Sequence, residues 1–471
     1  MKQDRKFKQI ICALLASAML FNLTGCSLMP EKKIECTTEA PSNVPDDKSD
    51  SVTTPGTTPT EPVTDPDITK PAEDPNKNPN PIDDMPALPV SGKDGEYSFT
   101  DSQMNLAVNL FKAVASESEN KNMLISPLSI QLALAMTANG ADTDTREEME
   151  QLLGNGLSME ELNEYLYSYV NSLPSEEKSK LEIANSIWFR NNESMFTVNE
   201  DFLQKNTEYY SAEIFKSAFD EQTVTEINNW VAENTDDMID KIVDKIDPDT
   251  MMYLINAIVF DSEWDVAYKD SAIKDDIFHS VSGEESTVSM MTSTETRYLS
   301  DDMAAGFIKD YRDGNYSFVA LLPNEDVSVY DYIEGLTGEK LAQTIQNVQY
   351  TDVIATIPKF SYEYSLSMNN VLANLGIPTA FDPFLADFSG IGTPDEGNLY
   401  IGNVLHKTFI EVSETGTKAA AVTSVGMYTC ESMDEPKPPK VVKLDRPFVY
   451  IIMDNENNLP IFIGVVTDVQ E

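Results

Sequence analysis

Two histidines, His279 and His406, limit the acid–base chemistry open to this 471-residue chain. A Ser-His-Asp hydrolase would need one of them beside a nucleophile, with a carboxylate to orient its ring. We expect His279 to have no functional role. The chain therefore offers no usable catalytic histidine beyond His406, and we do not expect an enzyme.

Metal, phosphate and nucleic-acid chemistry also lack support. The acidic residues are scattered, no Cys/His spacing fits zinc, and no segment fits the ligand pattern of a calcium loop. No glycine-rich phosphate loop follows a strand. The formal net charge of −46 disfavours nucleic acid and favours basic partners. We predict no metal, no cofactor and no nucleic-acid partner.

The stretch from Glu411 to Phe448 combines two patterns. Small residues dominate its first half, Gly416 to Ser424. With a period of two, one face would carry Thr417, Ala419, Ala421, Thr423, Val425 and Met427. This pattern is typical of a strand that fits inside a sheet. The segment from Asp434 to Lys440 has three prolines, which cannot donate to a sheet ladder, and is predicted to be an exposed loop.

This arrangement resembles the hinge and reactive loop of the serpins, whose hinge reads Glu-x-Gly-Thr-x-Ala-Ala-Ala. The matching residues are Glu414, Gly416, Thr417, Ala419, Ala420 and Ala421, followed by Asp445-Arg446-Pro447-Phe448. The resemblance implies an irreversible suicide-substrate inhibitor. A serine protease would cut the loop, and residues from Thr417 to about Thr429 would insert into an incomplete sheet, carrying the acylated protease with them.

Further matches to the serpins cover the whole globular part, including Asn228-Asn-Trp230-Val231 and Ala386-Asp-Phe-Ser-Gly-Ile391. They imply a mixed α+β, multi-domain-like fold with a large central sheet, two smaller sheets, about eight or nine helices and an exposed reactive-centre loop. They also imply a breach or core residue, Trp264, and a polar group that we call the shutter cluster: Ser126, Ser129, Asn256 and His406.

One departure from the family concerns the hinge glutamate. Serpins often carry a lysine after the paired methionines, where it bonds that glutamate. This chain has Met290-Met291-Thr292. A salt bridge from Glu414 is therefore in doubt.

The amino-terminal part is predicted to export and anchor the protein. Residues 1–25 have a positive start and an apolar core, as in a secretory signal, and end in Leu23-Thr24-Gly25-Cys26, which resembles the lipobox of bacterial lipoproteins. Residues 26–97 hold half of the 26 prolines and are predicted to be a disordered tether. The serpin domain would span 98–471, with its reactive-centre loop at about 414–440. We expect a monomer, lipid-anchored through Cys26 at the bacterial surface or shed from it.

Local patterns predict several elements of that domain. Apolar spacing predicts helices over 104–114, 127–138 and 143–153, the second opening at Ser126-Pro127. A further helix is predicted to begin at Ile227 and to continue through Ile239 and Ile242. Strands are predicted over 182–189 and 250–260.

The target protease depends on the residues near the scissile bond. Counting from the hinge by the family register places this bond between Cys430 and Glu431, within the window 427–435. This window contains no Lys or Arg, which disfavours trypsin-like proteases. Thr429 and Cys430 suit elastase-like or subtilisin-like pockets. Met427 and Tyr428 would suit chymotrypsin-like ones, and Cys430 leaves open a redox role or a cysteine protease.

A different class of function is a non-inhibitory serpin that acts as a cell-surface binding protein. Hinges of that kind typically carry bulky or charged residues, or proline. Here those positions hold Thr417, Ala419 and Ala421, which favours the inhibitor.

Overall fold

The computed structural model describes residues 89–95, 97–118, 120–417 and 438–469. Its α-helices are α1 Tyr97–Glu117, α2 Pro127–Ala138, α3 Thr143–Gly154, α4 Met159–Ser172, α5 Glu200–Tyr210, α6 Glu221–Glu233, α7 Val329–Glu334, α8 Gly338–Gln346 and α9 Asn369–Asn374. Among the described residues, no helix is both long and apolar enough to span a bilayer.

The strands form sheets of nine, six and two strands. The nine-stranded sheet has the order β1-β17-β16-β9-β8-β7-β10-β15, with β6 also paired to β7. Its strands are β1 Met123–Ile125, β6 Ile273–His279, β7 Glu285–Ser300, β8 Ala304–Asp310, β9 Tyr316–Pro323, β10 Gln349–Pro358, β15 Lys440–Lys443, β16 Phe448–Asp454 and β17 Leu459–Val466.

The six-stranded sheet has the order β11-β13-β14-β5-β2-β4. Its strands are β2 Ser179–Arg190, β4 Glu213–Ser217, β5 Met252–Glu263, β11 Phe360–Ser367, β13 Leu405–Val412 and β14 Gly416–Thr417. The two-stranded sheet pairs β3 Phe196–Val198 with β12 Gly392–Pro394. The mixed fold with one large and two smaller sheets is thus confirmed, and the hinge residues enter the six-stranded sheet.

The core follows from the apolar runs in β9, β16 and β17. Every residue of these three adjacent strands is buried, because both faces of the sheet are covered there. Such strands read as continuous apolar segments rather than as alternating ones. This core supports β5 of the six-stranded sheet, since Phe260 lies edge-on to Tyr316, with ring centroids 5.4 Å apart.

Helix α2 begins as its sequence predicts. The Ser126 hydroxyl accepts the N–H of Ser129, and Pro127 occupies the first turn, where a missing N–H is tolerated. The helix is almost entirely buried, which explains why it is apolar on all sides. Its capping serine is also a residue of the shutter cluster, so the start of α2 and that cluster are one structure.

The predicted helix through Ile239 and Ile242 is wrong in its extent. Helix α6 ends at Glu233. Asp236 and Asp237 follow with φ of 48° and 57°, the left-handed region that ends a helix. The chain then folds back, and the Thr235 hydroxyl accepts the N–H of Ile239 at 3.1 Å. The apolar spacing of the sequence continues past the end of the helix because Ile239 and Ile242 both pack inward, although the backbone there is not helical.

Asn228 fastens this folded-back segment. Its carboxamide oxygen accepts the N–H groups of Ile242 and Val243, both at 2.9 Å, and its NH₂ donates to the Val243 carbonyl at 2.8 Å. One side chain thereby supplies three backbone hydrogen bonds to residues that lack helical partners.

Replacing Asn228 by Ala should lower the free energy of unfolding by about 2–4 kcal/mol, because each of three hydrogen bonds contributes about 1 kcal/mol. Urea unfolding of the protein checks this value. Asn228→Asp keeps the accepting oxygen, so it should lose roughly a third to a half as much. Equal midpoints for Asn228→Ala and the natural chain would contradict the assignment.

Candidate functional site

Among the described residues, the position between β13 and β5 in the six-stranded sheet is occupied at one end, by β14. Strand β14 is described over two residues, up to the end of the described segment at Thr417, whereas its neighbours β13 and β5 have eight and twelve residues. Gly416 pairs with Glu263 and Thr417 with Ser262 on β5, and Thr417 pairs with Val412 on β13. Along the rest of β13 and β5, the described residues place no strand between them.

Gly416 is needed at this entry point because β5 passes very close to it. A Cβ atom on Gly416 would lie 2.0 Å from the Ser262 carbonyl oxygen. The next residue, Thr417, is buried, and its hydroxyl lies 2.5 Å from that of Tyr311. The Gly-Thr pair of the predicted hinge thus fits the start of a strand between β13 and β5.

The turn before β14 is held by residues just after β5. The Trp264 N–H donates to the Thr415 carbonyl at 2.8 Å, and the Trp264 indole N–H donates to the Ser413 carbonyl at 2.9 Å. The Tyr268 N–H donates to the Glu414 carbonyl at 2.9 Å. All three carbonyls of the turn are therefore bonded. The hairpin from which a longer β14 would grow already exists.

Trp264 is itself fixed by an aromatic stack. Its ring lies parallel to that of Tyr311, with centroids 4.5 Å apart and planes at 11°. Because Tyr311 also contacts the Thr417 hydroxyl, the two rings and the hinge form one packed unit. The structure thus places Trp264 against the predicted hinge.

The doubt about a salt bridge from Glu414 is removed. Glu414 pairs with Lys359, with 2.6 Å between Nζ and Oε2, so the cation comes from the β10–β11 connection rather than from position 292. The Lys359 ammonium holds the pKa of Glu414 below its usual range. Both side chains are about one-third exposed, so solvent limits this pair to about 0.2–1 kcal/mol.

Three residues of the shutter cluster meet at the start of α2. His406 accepts the backbone N–H of Ser126 through Nε2 at 3.1 Å. The Ser126 hydroxyl donates to the Ile461 carbonyl at 2.9 Å and accepts the Ser129 N–H at 3.2 Å. Burial lowers the pKa of His406 to about 4. His406 is therefore neutral at pH 7, with its proton on Nδ1 and its Nε2 free to accept.

Asn256, the fourth residue of the cluster, bonds in another direction. Its NH₂ donates to Asn185 on β2 at 2.8 Å, and Asn185 in turn donates to the Tyr210 carbonyl at 2.8 Å. The Asn256 carboxamide oxygen is buried and has no hydrogen-bond partner among the described residues. An unsatisfied buried acceptor costs about 1–3 kcal/mol and calls for an explanation.

A cavity of about 20 Å³ lies beyond Thr417. Its walls include Ile258 and Phe260 of β5 and Thr408 and Ile410 of β13. This volume is enough for about one water molecule. Only small side chains could therefore follow Thr417 between the two strands without moving them apart.

Other predicted residues stand outside this site or outside the described chain. His279 is half exposed and lies 3.5 Å from Glu285 at the edge of the nine-stranded sheet. In the described segments, no group of His, Cys, Asp and Glu could hold a metal. The remaining predicted site residues lie outside the described residues: Cys26, Ala419, Ala420, Ala421, Cys430 and Glu431.

Sequence reasoning missed the residues that the hinge touches across the fold. Tyr311 and Tyr268 face the hinge, Lys359 pairs with Glu414, and Asn185 binds Asn256. No local pattern marks them, since each lies far along the chain from its partner. Asn185 does not stand out in its strand either, because β2 also contains Lys180, Glu182 and Ser186.

Comparison with known proteins identifies the class of this fold and site. The family model for Serpin (serine protease inhibitor) matches residues 101–469. The chain belongs to the serpin family, whose members are generally protease inhibitors rather than catalysts.

Individual relatives agree with this assignment. The chain is 30% identical over 396 residues to an uncharacterized serpin-like protein of Thermococcus kodakarensis, covering 82% of this chain and 90% of that one. It is also 30% identical over 374 residues to Serpin B6 of Pongo abelii, covering 76% and 96%. Among solved structures, it is similar to native tengpin, a thermophilic serpin. The TM-score is 0.77 and the identity 50%, with 83% of this chain and all of that chain covered.

Burial of neutral His406 should make stability depend on pH. The folded pKa of about 4 lies below the unfolded value of about 6.5, so the unfolded chain binds the extra proton first. Stability from His406 is therefore full above pH 6.5 and falls by about 3 kcal/mol as the pH drops to 4.

Urea unfolding at several pH values between 7 and 4 checks this dependence. His406→Gln should be less stable at pH 7, but it should lose less stability on acidification than the natural chain does. The half-exposed His279 is the matched control, and His279→Gln should retain the natural pH dependence. Parallel curves for the natural chain and His406→Gln would exclude the proposed linkage.

Proposed function

We propose that this protein is an irreversible suicide-substrate inhibitor of serine proteases that acts by inserting its cleaved reactive loop into the six-stranded sheet. The observation that carries the proposal is the strand position between β13 and β5, which Gly416 and Thr417 have already begun to fill. A preformed hairpin turn leads into it, so the cleaved loop could extend an existing strand rather than nucleate a new one.

The register of β14 defines how the inserted strand would lie. In an antiparallel pair, each step forward along one strand is a step back along the other. Starting from Thr417 opposite Ser262, the strand would reach Met427 opposite Met252, where β5 begins. On the same register, Thr423 would lie opposite Asn256.

The register against β13 places Thr423 at the same level of the sheet. Starting from Thr417 opposite Val412, Thr423 would lie opposite His406. The inserted Thr423 would therefore sit between the Asn256 and His406 side-chain positions. A threonine hydroxyl there could donate to the unsatisfied Asn256 oxygen, which supports a role for Asn256 in the inserted state.

The small hinge residues suit the space available. Thr417 is buried, and alternate residues of a strand share a face, so Ala419 and Ala421 would follow it into the narrow cavity between β5 and β13. The non-inhibitory alternative would be expected to carry larger or charged residues there.

Insertion would disable the attacking protease by moving it. A strand matching the twelve residues of β5 would be about 40 Å long. A protease esterified near the end of the loop would be carried toward the far end of the sheet. Its catalytic groups would then lose the alignment that hydrolysis of the acyl-enzyme requires.

The loop sequence favours elastase-like or subtilisin-like targets, with cleavage between Cys430 and Glu431, because the window 427–435 lacks Lys and Arg. Met427 and Tyr428 keep chymotrypsin-like proteases as a second candidate, and Cys430 keeps cysteine proteases. We also propose that the protein is exported and held at the bacterial surface by lipid on Cys26, behind a tether that ends near helix α1.

Incubation with an elastase-like and a subtilisin-like protease should give a band at the summed mass that survives denaturing electrophoresis. The mass of the released carboxyl-terminal peptide would locate the scissile bond. Ala421→Glu should be cut at the same bond but should form little of this complex, because a charge cannot enter the cavity without a large desolvation cost. Cutting of the natural chain with no covalent band would reject the inhibitor.

Thr423→Val tests the inserted register. In the cut protein it should lower the free energy of unfolding by about 1–3 kcal/mol, because it leaves the Asn256 oxygen unsatisfied. The uncut protein should be unaffected. Guanidinium unfolding of both forms measures the difference, with Ser424→Ala on the opposite face as the control. An equal loss in the cut forms of Thr423→Val and Ser424→Ala, or in the cut and uncut forms of Thr423→Val, would rule out this register.

A further inference from the structure

Lys309 on β8 places a buried positive charge beside the hinge turn. Its side chain is 2% exposed, and Nζ lies 2.9 Å from Glu295 Oε1 and 3.2 Å from the Val266 carbonyl oxygen. The same ammonium lies 4.7 Å from the ring centroid of Tyr268 and 5.4 Å from that of Trp264. One cation thus contacts both aromatic residues that bond the carbonyls of the turn.

This arrangement is poorly explained as a device for general stability. Removing a charged pair from water costs several kcal/mol per ion, and apolar residues of similar volume often serve as well. Glu295 is also anchored, since it accepts the Ser293 hydroxyl at 2.6 Å. The pair is therefore a fixed charge at a defined place, and the groups it faces are the two rings.

The two rings are where a small displacement would matter. The Trp264 indole N–H donates to the Ser413 carbonyl, and the backbone N–H groups of Trp264 and Tyr268, which carry the two rings, donate to the carbonyls of Thr415 and Glu414. A cation over an aromatic face contributes about 0.5–2 kcal/mol, more when the site is desolvated. Without the ammonium, the Tyr268 ring would lose its contact below the plane and the turn would lose order.

We propose that Lys309 is a positioning residue that keeps the hinge turn formed and thereby sets how fast the cut loop inserts. This inference rests on the proposed inhibitory function. A turn that is ordered before cleavage lets β14 lengthen at once, whereas a disordered turn must form first while water attacks the acyl-enzyme. Loss of the charge should therefore shift the outcome from trapping toward hydrolysis and release.

Lys309→Met should raise the number of inhibitor molecules consumed per protease trapped by about fivefold, as expected for loss of a desolvated cation–π contact. The rate of attack on the loop should stay within about twofold, since the cation touches the turn and not the scissile bond. Lys340 is a matched control, because it too pairs with a carboxylate, at 2.8 Å from Asp302, and lies 5.9 Å from the Tyr332 ring. Lys340→Met should trap protease as the natural chain does.

Two further variants separate positioning from packing. Lys309→Arg keeps a cation over the rings and should restore trapping, while Glu295→Gln keeps the ammonium and should have a smaller effect than Lys309→Met. Unfolding of each uncut variant by urea shows whether it is folded. If Lys309→Met does not fold, Lys309→Arg and Glu295→Gln are compared with the natural chain to test the role of the cation. Full loss of trapping in Lys309→Arg would contradict the proposal.

A second readout does not require trapping. After the loop is nicked, the rate at which the protein gains heat resistance reports insertion directly, and Lys309→Met should slow it by a similar factor. If Lys309→Met folds, and both the number of inhibitor molecules consumed per protease trapped and the rate of insertion stay unchanged, the proposed role of Lys309 is wrong. If the natural chain inserts its nicked loop but traps no protease, the proposed inhibitory function is rejected, and the insertion rate alone tests the role of Lys309. If the natural chain neither inserts its loop nor traps protease, the inhibitory function and the role of Lys309 are both rejected.

Discussion

The structure depends on one constraint, the position between β13 and β5 in the six-stranded sheet, which the described residues fill only at Gly416–Thr417. A long strand lies on either side of this position. Unpaired backbone groups along such edges seek hydrogen-bond partners, and a buried vacancy forfeits packing. The narrow cavity beyond Thr417 and the unsatisfied Asn256 oxygen both lie along this position. Beyond Thr417, the described residues thus leave this position of the sheet without a strand.

The two ends of the vacancy differ in their physical character. At the hinge end, aromatic packing and three bonded carbonyls hold the turn firmly. Farther along, His406 and Ser126 form a polar group joined by single hydrogen bonds. The net free energy of one such bond is about 0.5–1.5 kcal/mol, so its exchange for another is inexpensive. In the proposed mechanism, β14 would lengthen from the firmly held end of this position toward the end with exchangeable hydrogen bonds.

Electrostatics at the hinge is divided between an exposed and a buried pair. Lys359–Glu414 is partly solvated and contributes little. Lys309–Glu295 is buried, and its ammonium lies against the rings of Trp264 and Tyr268, the two residues that donate hydrogen bonds to the turn. These pairs come from different strands, so the hinge is controlled by residues brought together from β7, β8 and the β10–β11 connection. A chain with a net charge of −46 thus uses two of its lysines at the hinge.

By itself, the sequence determined the family, the α+β class and the start of α2 at Ser126, and it supplied the prediction of a hinge from Glu414. These depend on local chemistry: alternation of small residues, a capping serine and a proline in a first turn. Only the tertiary structure decided that Lys359 pairs with Glu414, that Asn256 binds Asn185 and that Lys309 lies under Trp264 and Tyr268. It also ended α6 at Glu233, where a left-handed turn outweighs the apolar periodicity. The physical reason is that these contacts join residues distant along the chain, and local spacing carries no information about which strands become neighbours.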